Sequence, residues 1–385
     1  MPIAPIFKPR HFPIGGAVPT ADVVGRSGAI VDLAFKLRSG QNVLMAAPRR
    51  TGKSSVAAKV MEELEEAGLL TVHLDFLKLT TLDSFAGAYF EACVSKRTAA
   101  VGLWSRLKVE KNKARAEANL VFRLGPFLEA GLKLTSSATP EEMLTLAMEL
   151  PALVAHEQKK DLVVVFDEFQ DSTKLHREFL RVARPYVTAT DDRVSYLFLG
   201  SQSTLLHQVF NKQSEPLFRS ALSVDLPAIG DEEWIDYLRA KFEEVAISVD
   251  RRLLAQLVRR AGGHPQDTMT VAFCLYQVLY QEQRETARET DVARAVDEAL
   301  GLMAAAFEQL WLDFNSERGN RIVIARLARG VPLYGGVTNS ERAAIDRAMK
   351  RLLADGFIQK LGRGSYRLTE PLLADYVSDY LDVRP

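Results

Sequence analysis

The chain has 385 residues, which is enough for two or three domains with their own hydrophobic cores. Its 47% hydrophobic and 25% charged content is ordinary for a soluble globular protein, and 49 acidic residues balance 49 basic ones. This balance excludes a globally basic protein, so any surface for nucleic acid has to be a local patch.

Targeting and redox signals are weak along the chain. No apolar run approaches the roughly 20 residues of a membrane span, and no membrane partner is expected. Residues 1–20 carry prolines but no signal-peptide core, and we expect them to form an extended N-terminal arm on the body. Cys93 and Cys274 offer neither a disulfide framework nor a metal-ligand spacing, which favours a reducing cytoplasm.

A short apolar run leads directly into a basic loop that contains glycine. Val43–Ala46 has the length of a buried strand, residues 47–54 read Ala-Pro-Arg-Arg-Thr-Gly-Lys-Ser, and apolar residues then recur at helical spacing. This order of strand, loop and helix predicts a phosphate-binding P-loop in which Ala47 replaces the first glycine. The alternative is a chance Gly-Lys-Ser in an ordinary strand-to-helix turn.

The residue types of this loop suit a nucleotide triphosphate. Gly52 lets backbone N–H groups curl around a phosphate, and the helix beginning near Ser54 directs its positive end at the same anion. Lys53 is predicted to reach the β- and γ-phosphates of ATP, and the Ser54 hydroxyl to bind Mg²⁺. The other loop residues predicted to contact the nucleotide are Pro48, Arg49, Arg50, Thr51 and Ser55.

Four further strand-like runs alternate with helix-like sequence. They are Leu70–Asp75, Leu162–Asp167, residues 194–199 and residues 221–226. The alternation predicts a doubly wound α/β domain over residues 21–229, with a parallel five-stranded sheet. Leu162–Asp167 is the most apolar run and is expected to lie centrally. A basic insertion at about 95–135 interrupts the pattern, either as a solvated face or as a surface for a partner or nucleic acid.

Two acids end the third predicted strand. Asp167 is expected at its carboxyl end, on the loop's side of a parallel sheet, where it would help to hold Mg²⁺. Glu168 follows and is predicted to be the general base for the attacking water. The alternative is that both acids merely end a buried strand at a wet loop.

Two later positions extend the predicted site. Ser201 or Gln202, after the fourth strand, is expected to orient the water or contact the γ-phosphate; a helix-capping role is the alternative. Arg219 precedes the fifth strand and is a candidate arginine finger towards a neighbouring subunit's γ-phosphate, or an ordinary surface arginine.

The remainder of the chain predicts two smaller domains. Residues 230–304 read as helices only, starting at the acidic Asp231 and broken at 262–265, and predict a helical lid. In residues 305–385, one helix over 321–328, a second capped by Asn339-Ser340-Glu341 and stopped by Gly356, and then a β-hairpin predict a winged helix-turn-helix.

Together these residues resemble the P-loop ATPases of the AAA+ and STAND superfamily, especially the group called archaeal-type ATPases. The resemblance spans nearly the whole chain and rests on four motifs: Val24-Gly25-Arg26, Pro48 to Ser54, residues 166–170 and Gly263-His264-Pro265. It implies that the first motif lies near adenine and that Pro265 of the lid contacts the base. Gln266 and Asp267 stand where such motors often carry a sensor arginine, so the resemblance implies a slow nucleotide switch rather than a motor.

The winged helix is locally basic. Between residues 315 and 367 there are eleven basic and four acidic residues, an excess of seven positive charges. A helix in the major groove and a wing on the phosphates would use the following cations: Arg342, Arg347, Lys350, Arg351, Arg363 and Arg367. A protein-docking role or a merely solvated face is the alternative.

Two classes of function therefore stay open. One is a Mg-dependent ATP-hydrolysing switch on or near double-stranded DNA, in replication, mobile-element or defence functions, working alone or as a homo-oligomer. The other is a signalling or scaffold ATPase whose winged helix docks a protein. A non-catalytic P-loop binder is disfavoured because Lys53, Ser54, Asp167 and Glu168 are all present.

Overall fold

The structure is a computed structural model that describes residues 5–96, 139–175, 178–189, 193–201, 203–362 and 364–381. Residues 97–135 of the predicted basic insertion, Gln202 and Arg363 therefore lie outside the described residues. The chain divides into two compact units, each with its own apolar core. One comprises Gly28–Ala46 and Val56–Leu226, and the other Met1–Ser27, Ala47–Ser55 and Pro227–Pro385.

A parallel sheet forms the centre of the first unit. Its strands are β1 (Val43–Ala46), β2 (Leu70–Asp75), β3 (Leu162–Asp167), β4 (Val194–Gly200) and β5 (Leu222–Val224). Their order is β2-β3-β4-β1-β5, with every pair parallel, which confirms the predicted fold class. The central strand is β4 rather than β3, although both are buried along their whole length because each has a strand on either side.

The predicted fifth strand is shorter than its apolar run. β5 is an edge strand, paired only with β1, and Leu222 and Ser223 are exposed. An edge strand is half solvated, so the hydrophobic pattern over 221–226 overestimates its length.

Helices alternate with these strands. They are α1 (Ser27–Arg38), α2 (Lys53–Glu66), α3 (Leu82–Ser95), α4 (Pro140–Gln158), α5 (Ser172–Leu175), α6 (Phe179–Val187) and α7 (Ser203–Asn211). Reciprocal capping boxes at Thr81 and Thr139 fix the starts of α3 and α4. Because α2 begins at Lys53, the helix starts within the Gly-Lys-Ser motif.

In the second unit, four helices follow Pro227. They are α8 (Asp231–Glu243), α9 (Arg251–Arg260), α10 (Pro265–Gln281) and α11 (Glu289–Asp313). The N-terminal segment packs on them: the Ile6 amide donates to the Val245 carbonyl at 2.9 Å, and the Phe12 ring is buried against Phe242. Within the described ranges, no helix combines the length and apolar character needed to cross a bilayer.

The same unit ends in a winged helix. It comprises α12 (Arg318–Ala328), α13 (Asn339–Ala354), the antiparallel hairpin β6 (Ile358–Gly362) and β7 (Ser365–Leu368), and α14 (Pro371–Asp379). The predicted cap of α13 was one residue late, because the Thr338 hydroxyl accepts from the Glu341 amide while the Glu341 carboxylate accepts from the Thr338 amide. Gly356, at φ 75°, follows the helix end as predicted.

Candidate active site

The loop after β1 folds back on its own lysine. Lys53 is buried, and its ammonium donates to the carbonyls of Ala47 and Pro48, both at 2.8 Å. The Thr51 hydroxyl donates to the same Pro48 carbonyl at 3.1 Å. The loop therefore encloses a cation at the start of α2, where backbone N–H groups add further positive potential.

Two small residues of the loop have different roles. Ala47 is buried and its φ is not positive, so the missing first glycine imposes no strain here. Gly52 has φ 89°, and a Cβ there would lie 3.1 Å from the Arg26 guanidinium. Gly52 is thus needed both for its dihedral angle and for the close approach of the arginine.

Arg26 supports the loop from outside. It is 8% exposed, and its guanidinium donates to the Thr51 carbonyl at 2.6 Å and to the Pro227 carbonyl at 2.7 Å. Burial lowers the pKa of Arg26 to about 10, against an opposing contribution from Glu233. Arg26 therefore fixes the loop backbone. Of its two neighbours in the predicted adenine motif, Val24 is buried and Gly25 has φ 59°.

The remaining loop side chains differ in exposure. Arg49 is exposed, and Arg50, also exposed, forms an ion pair with Glu370 at 3.0 Å. The Ser55 hydroxyl accepts from the Val18 amide at 3.1 Å, and Ser54 is half-buried in the first turn of α2. Pro265 is half-buried at the first position of α10.

The predicted acid pair lies at the carboxyl end of β3. Asp167 is the last residue of the strand and 5% exposed, and its carboxylate accepts from the Glu168 amide at 2.9 Å. Glu168 has φ 51°, a conformation that few non-glycine residues adopt. The chain therefore turns sharply after Asp167.

Glu168 contacts the end of β4. The Ser201 hydroxyl, 1% exposed, donates to the Glu168 carboxylate at 2.8 Å, so the structure brings together two residues that the sequence placed on separate strands. The amide of Gln170 donates to the same carboxylate and to the Ser201 hydroxyl, the latter at 3.3 Å. These donors fix the rotamer of the predicted general base.

Gln170 and His73 are contributions that sequence reasoning missed. A Cβ on Gly200 would lie 2.3 Å from the Gln170 amide oxygen, so the glycine that ends β4 makes room for this side chain. On β2, the His73 imidazole lies 3.8 Å from the Asp167 carboxylate. His73 lies near Asp167 because β2 pairs with β3 in the register that runs from Leu70 to Asp75. This register depends on how the strands pair, and the sequence of each strand alone does not predict it.

Arg219 has an unusual backbone. Its φ is 56°, its amide donates to the Phe210 carbonyl at 2.8 Å, and its guanidinium lies 5.1 Å from the Phe218 ring centroid. The side chain is exposed. The backbone of this exposed arginine is thus held in a conformation that few non-glycine residues adopt.

The predicted Mg²⁺ ligands Asp167 and Ser54 both carry oxygen donors. In the ranges that the structure describes, no three His, Cys, Asp or Glu side chains cluster closely enough to hold a metal ion. The Asp167 carboxylate is buried, and Mg²⁺ commonly uses one or two carboxylates together with substrate phosphates.

The cations of the winged helix are only partly available. Arg321 and Arg326 donate to backbone carbonyls of their own domain, and Arg351 pairs with Glu317 at 2.6 Å. Arg342 lies over the Tyr334 ring, and Arg367 contacts Gln359. Exposed on the outer face of α13 are Arg347 and Lys350, opposite the buried stripe Ile345, Ala348, Met349 and Leu352.

Comparison with known proteins gives structural matches only. No protein-family model matches the sequence, and no curated protein matches it significantly. The Walker-type ATPase of Pyrococcus abyssi matches with TM-score 0.67 at 16% identity, over 95% of this chain and 99% of that one. The ORC2 protein of Aeropyrum pernix, solved as ADPNP-ADP complexes, matches with TM-score 0.63 at 16% identity, over 97% and 96% of the two chains.

A third structure also matches over nearly the whole length of both chains. Cdc6p from Pyrobaculum aerophilum superposes with TM-score 0.51 at 13% identity, over 97% of this chain and 98% of its own. The matches cover the sheet, the helical region and the winged helix alike, because they extend over nearly the whole chain. The chain therefore has the fold of the AAA+ P-loop ATPases, as the four sequence motifs predicted.

Proposed function

We propose that this protein binds ATP in the loop 47–55 and hydrolyses it with Mg²⁺, acting as a nucleotide-dependent switch. The observation that carries this proposal is the order of the strands that lead into that loop and into the acids Asp167 and Glu168. The loop is the direct continuation of β1, the acids directly follow β3, and one strand separates the two in a parallel sheet. Parallel strands end at the same edge, where α/β proteins bind their ligands.

The loop residues account for phosphate binding. Lys53 now donates to two loop carbonyls, and we expect a phosphate to replace them because charge-assisted bonds to an anion are stronger. Gly52 keeps the backbone open to the anion, and Arg26 holds the Thr51 carbonyl so that the loop does not collapse further. The AAA+ fold and the nucleotide complexes of the Aeropyrum ORC2 protein support a nucleotide as the ligand.

Hydrolysis requires a held cation and a base. Ser54 and Asp167 are the residues that would hold Mg²⁺, which, when bound, neutralises the charge developing on the phosphates. Glu168 would accept the proton of the attacking water as general base. Ser201 and Gln170 position its carboxylate through the hydrogen bonds described above.

Double-stranded DNA is the partner that we propose for the winged helix. Arg347 and Lys350 project from the outer face of α13, the face that enters the major groove in helix-turn-helix proteins. Lys360 and Arg367, with Arg363 between them in sequence, lie on the exposed hairpin, where wings contact phosphate. The second candidate partner is a docked protein. It is favoured because Arg321, Arg326 and Arg351 already bond within the domain, which leaves fewer cations for DNA phosphates.

One experiment separates these functions. Steady-state ATP hydrolysis by the full chain is measured alone and with a panel of duplex DNA, single-stranded DNA and RNA. The proposal expects slow basal turnover that is stimulated or inhibited by duplex DNA. Turnover indifferent to every nucleic acid would reject the DNA partner, and an absence of nucleotide binding would reject the proposed function altogether.

A further inference from the structure

Glu370, which is far along the chain, forms an ion pair with Arg50 of the loop. The Nη1 atom of Arg50 lies 3.0 Å from the Oε2 atom of Glu370, 320 residues away in sequence. The Arg50 side chain is 37% exposed, whereas that of Glu370 is 6% exposed. Arg50 also has φ 131°, a backbone conformation that is disfavoured for any residue with a Cβ. The ion pair therefore helps to hold the loop in a strained form.

Glu370 lies where the winged helix meets the turn between α9 and α10. It directly precedes α14, whose Leu372 amide donates to the buried Asp267 carboxylate at 2.9 Å. Gly262 packs so closely there that a Cβ would lie 2.6 Å from the Pro371 ring. The start of α14 thus contacts both the lid turn and the loop.

The carboxylate of Glu370 depends on its cation. Burial raises the pKa of Glu370, the charge of Asp267 raises it further, and Arg50 and His264 oppose this shift. A buried carboxylate that loses its partner is strongly destabilising unless it reaches water or takes up a proton. The position of α14 is therefore sensitive to what Arg50 binds.

We propose that Glu370 competes with the phosphates of a bound nucleotide for Arg50, so that nucleotide binding releases the start of α14 from the loop. A guanidinium pairs with phosphate through the same planar fork that it offers a carboxylate, and a nucleotide tail carries more charge than one glutamate. Glu370, left without its cation, then favours movement of α14 towards solvent. The coupling is reciprocal, since a ligand that draws the winged helix away frees Arg50 for the nucleotide.

This inference rests on the proposed function, because it needs a nucleotide in the loop. Its first test is the affinity for ADP, measured by calorimetry on the full chain. Glu370→Gln removes the competing charge without changing the side-chain shape, and it should tighten ADP binding about fivefold. In an Arg50→Gln background the same substitution should have no effect, since nothing is left to compete for.

The matched control lies on the same helix. Asp375 pairs with Arg260 at 3.2 Å and does not contact the loop. Asp375→Asn should leave ADP affinity within about twofold, because the ion pair between Glu370 and Arg50 stays in place. Equal tightening by both variants, or none by Glu370→Gln, would overturn the competition.

Hydrogen exchange reports the release directly. In the wild-type protein, ADP should speed exchange of the amides at the start of α14, including Leu372. In Glu370→Gln these amides should already exchange faster without ADP. A wild-type protein that binds ADP with unchanged exchange would overturn the coupling and leave the proposed function intact, whereas one that binds no nucleotide would overturn both.

Discussion

At the scale of single residues, the site depends on side chains that position others. The Ser201 hydroxyl donates to the Glu168 carboxylate, and we propose that it acts by fixing the rotamer of the general base. We therefore expect Ser201→Ala to lower kcat about tenfold, with little change in KM for ATP. Steady-state kinetics at saturating Mg²⁺ measures both constants.

A serine on the same strand provides the control. Ser195 of β4 is also buried, and its hydroxyl donates to the Leu37 carbonyl at 3.0 Å. Ser195→Ala should lower the free energy of unfolding by about 1–2 kcal/mol and leave kcat per folded molecule unchanged. If both variants reduce kcat alike, the role of Ser201 is structural.

The raised pKa of Glu370 predicts a pH-dependent stability difference. A carboxyl group whose pKa is higher in the folded than in the unfolded state contributes stability below its unfolded value, and this stability is lost as the pH rises through the folded value. Glu370→Gln cannot ionise, so its stability relative to wild type should increase as the pH rises from the ordinary pKa of 4.5 through the raised pKa of Glu370 in the folded protein. Thermal unfolding at a series of pH values measures this; a constant difference would contradict the assigned pKa shift.

At the scale of elements, hydrophobic pattern predicted most of the architecture. β1, β2 and β3 begin and end where the apolar runs do, because strands buried on both faces read as continuous apolar sequence. The central position of β4 and the short β5 were not predictable in this way, since neighbouring strands are set by pairing over long sequence separations. For the same reason, the contacts of His73 with Asp167 and of Glu370 with Arg50 could not be predicted from the sequence.

The proposed binding of DNA is tested on the outer face of α13. Arg347→Ala combined with Lys350→Ala should weaken binding to duplexes of every sequence and reduce the slope of log affinity against log salt by about two. Fluorescence anisotropy across a salt series measures this slope.

The control for this variant removes the same charge elsewhere. Arg251 and Arg252 are exposed at the start of α9 and pair with Glu232 and Glu289. Replacing both with alanine should leave the salt slope unchanged. A slope that stays the same in the α13 variant would argue for the protein-docking alternative.

At the scale of the whole molecule, an Arg219 variant tests whether active sites are shared between subunits. If it acts as an arginine finger, Arg219→Ala should lower kcat about a thousandfold. Mixing this variant with Glu168→Gln should then recover turnover, because each supplies what the other lacks across a shared site. Normal turnover of Arg219→Ala would indicate a site complete within one chain, and two inactive variants that fail to complement would exclude a finger acting between subunits.

The sequence predicts domain boundaries at residues 20, 229 and 304, which separate an N-terminal arm, an ATPase domain, a helical lid and a winged helix. The two compact units divide the chain differently, because the loop Ala47–Ser55 belongs with the lid and winged-helix segments rather than with the sheet. Such a division is not visible in sequence, where the loop follows β1 without interruption. The grouping places Arg50 in the same compact unit as Glu370.

The most direct test of the account is the behaviour of Glu168→Gln in ATP binding and turnover measured on the same preparation. The account predicts that ATP affinity is retained while hydrolysis falls at least about a hundredfold, since the base is lost and the phosphate loop is untouched. Turnover close to that of the wild type would contradict the assignment of Glu168. Loss of ATP binding in both proteins would contradict the nucleotide site itself.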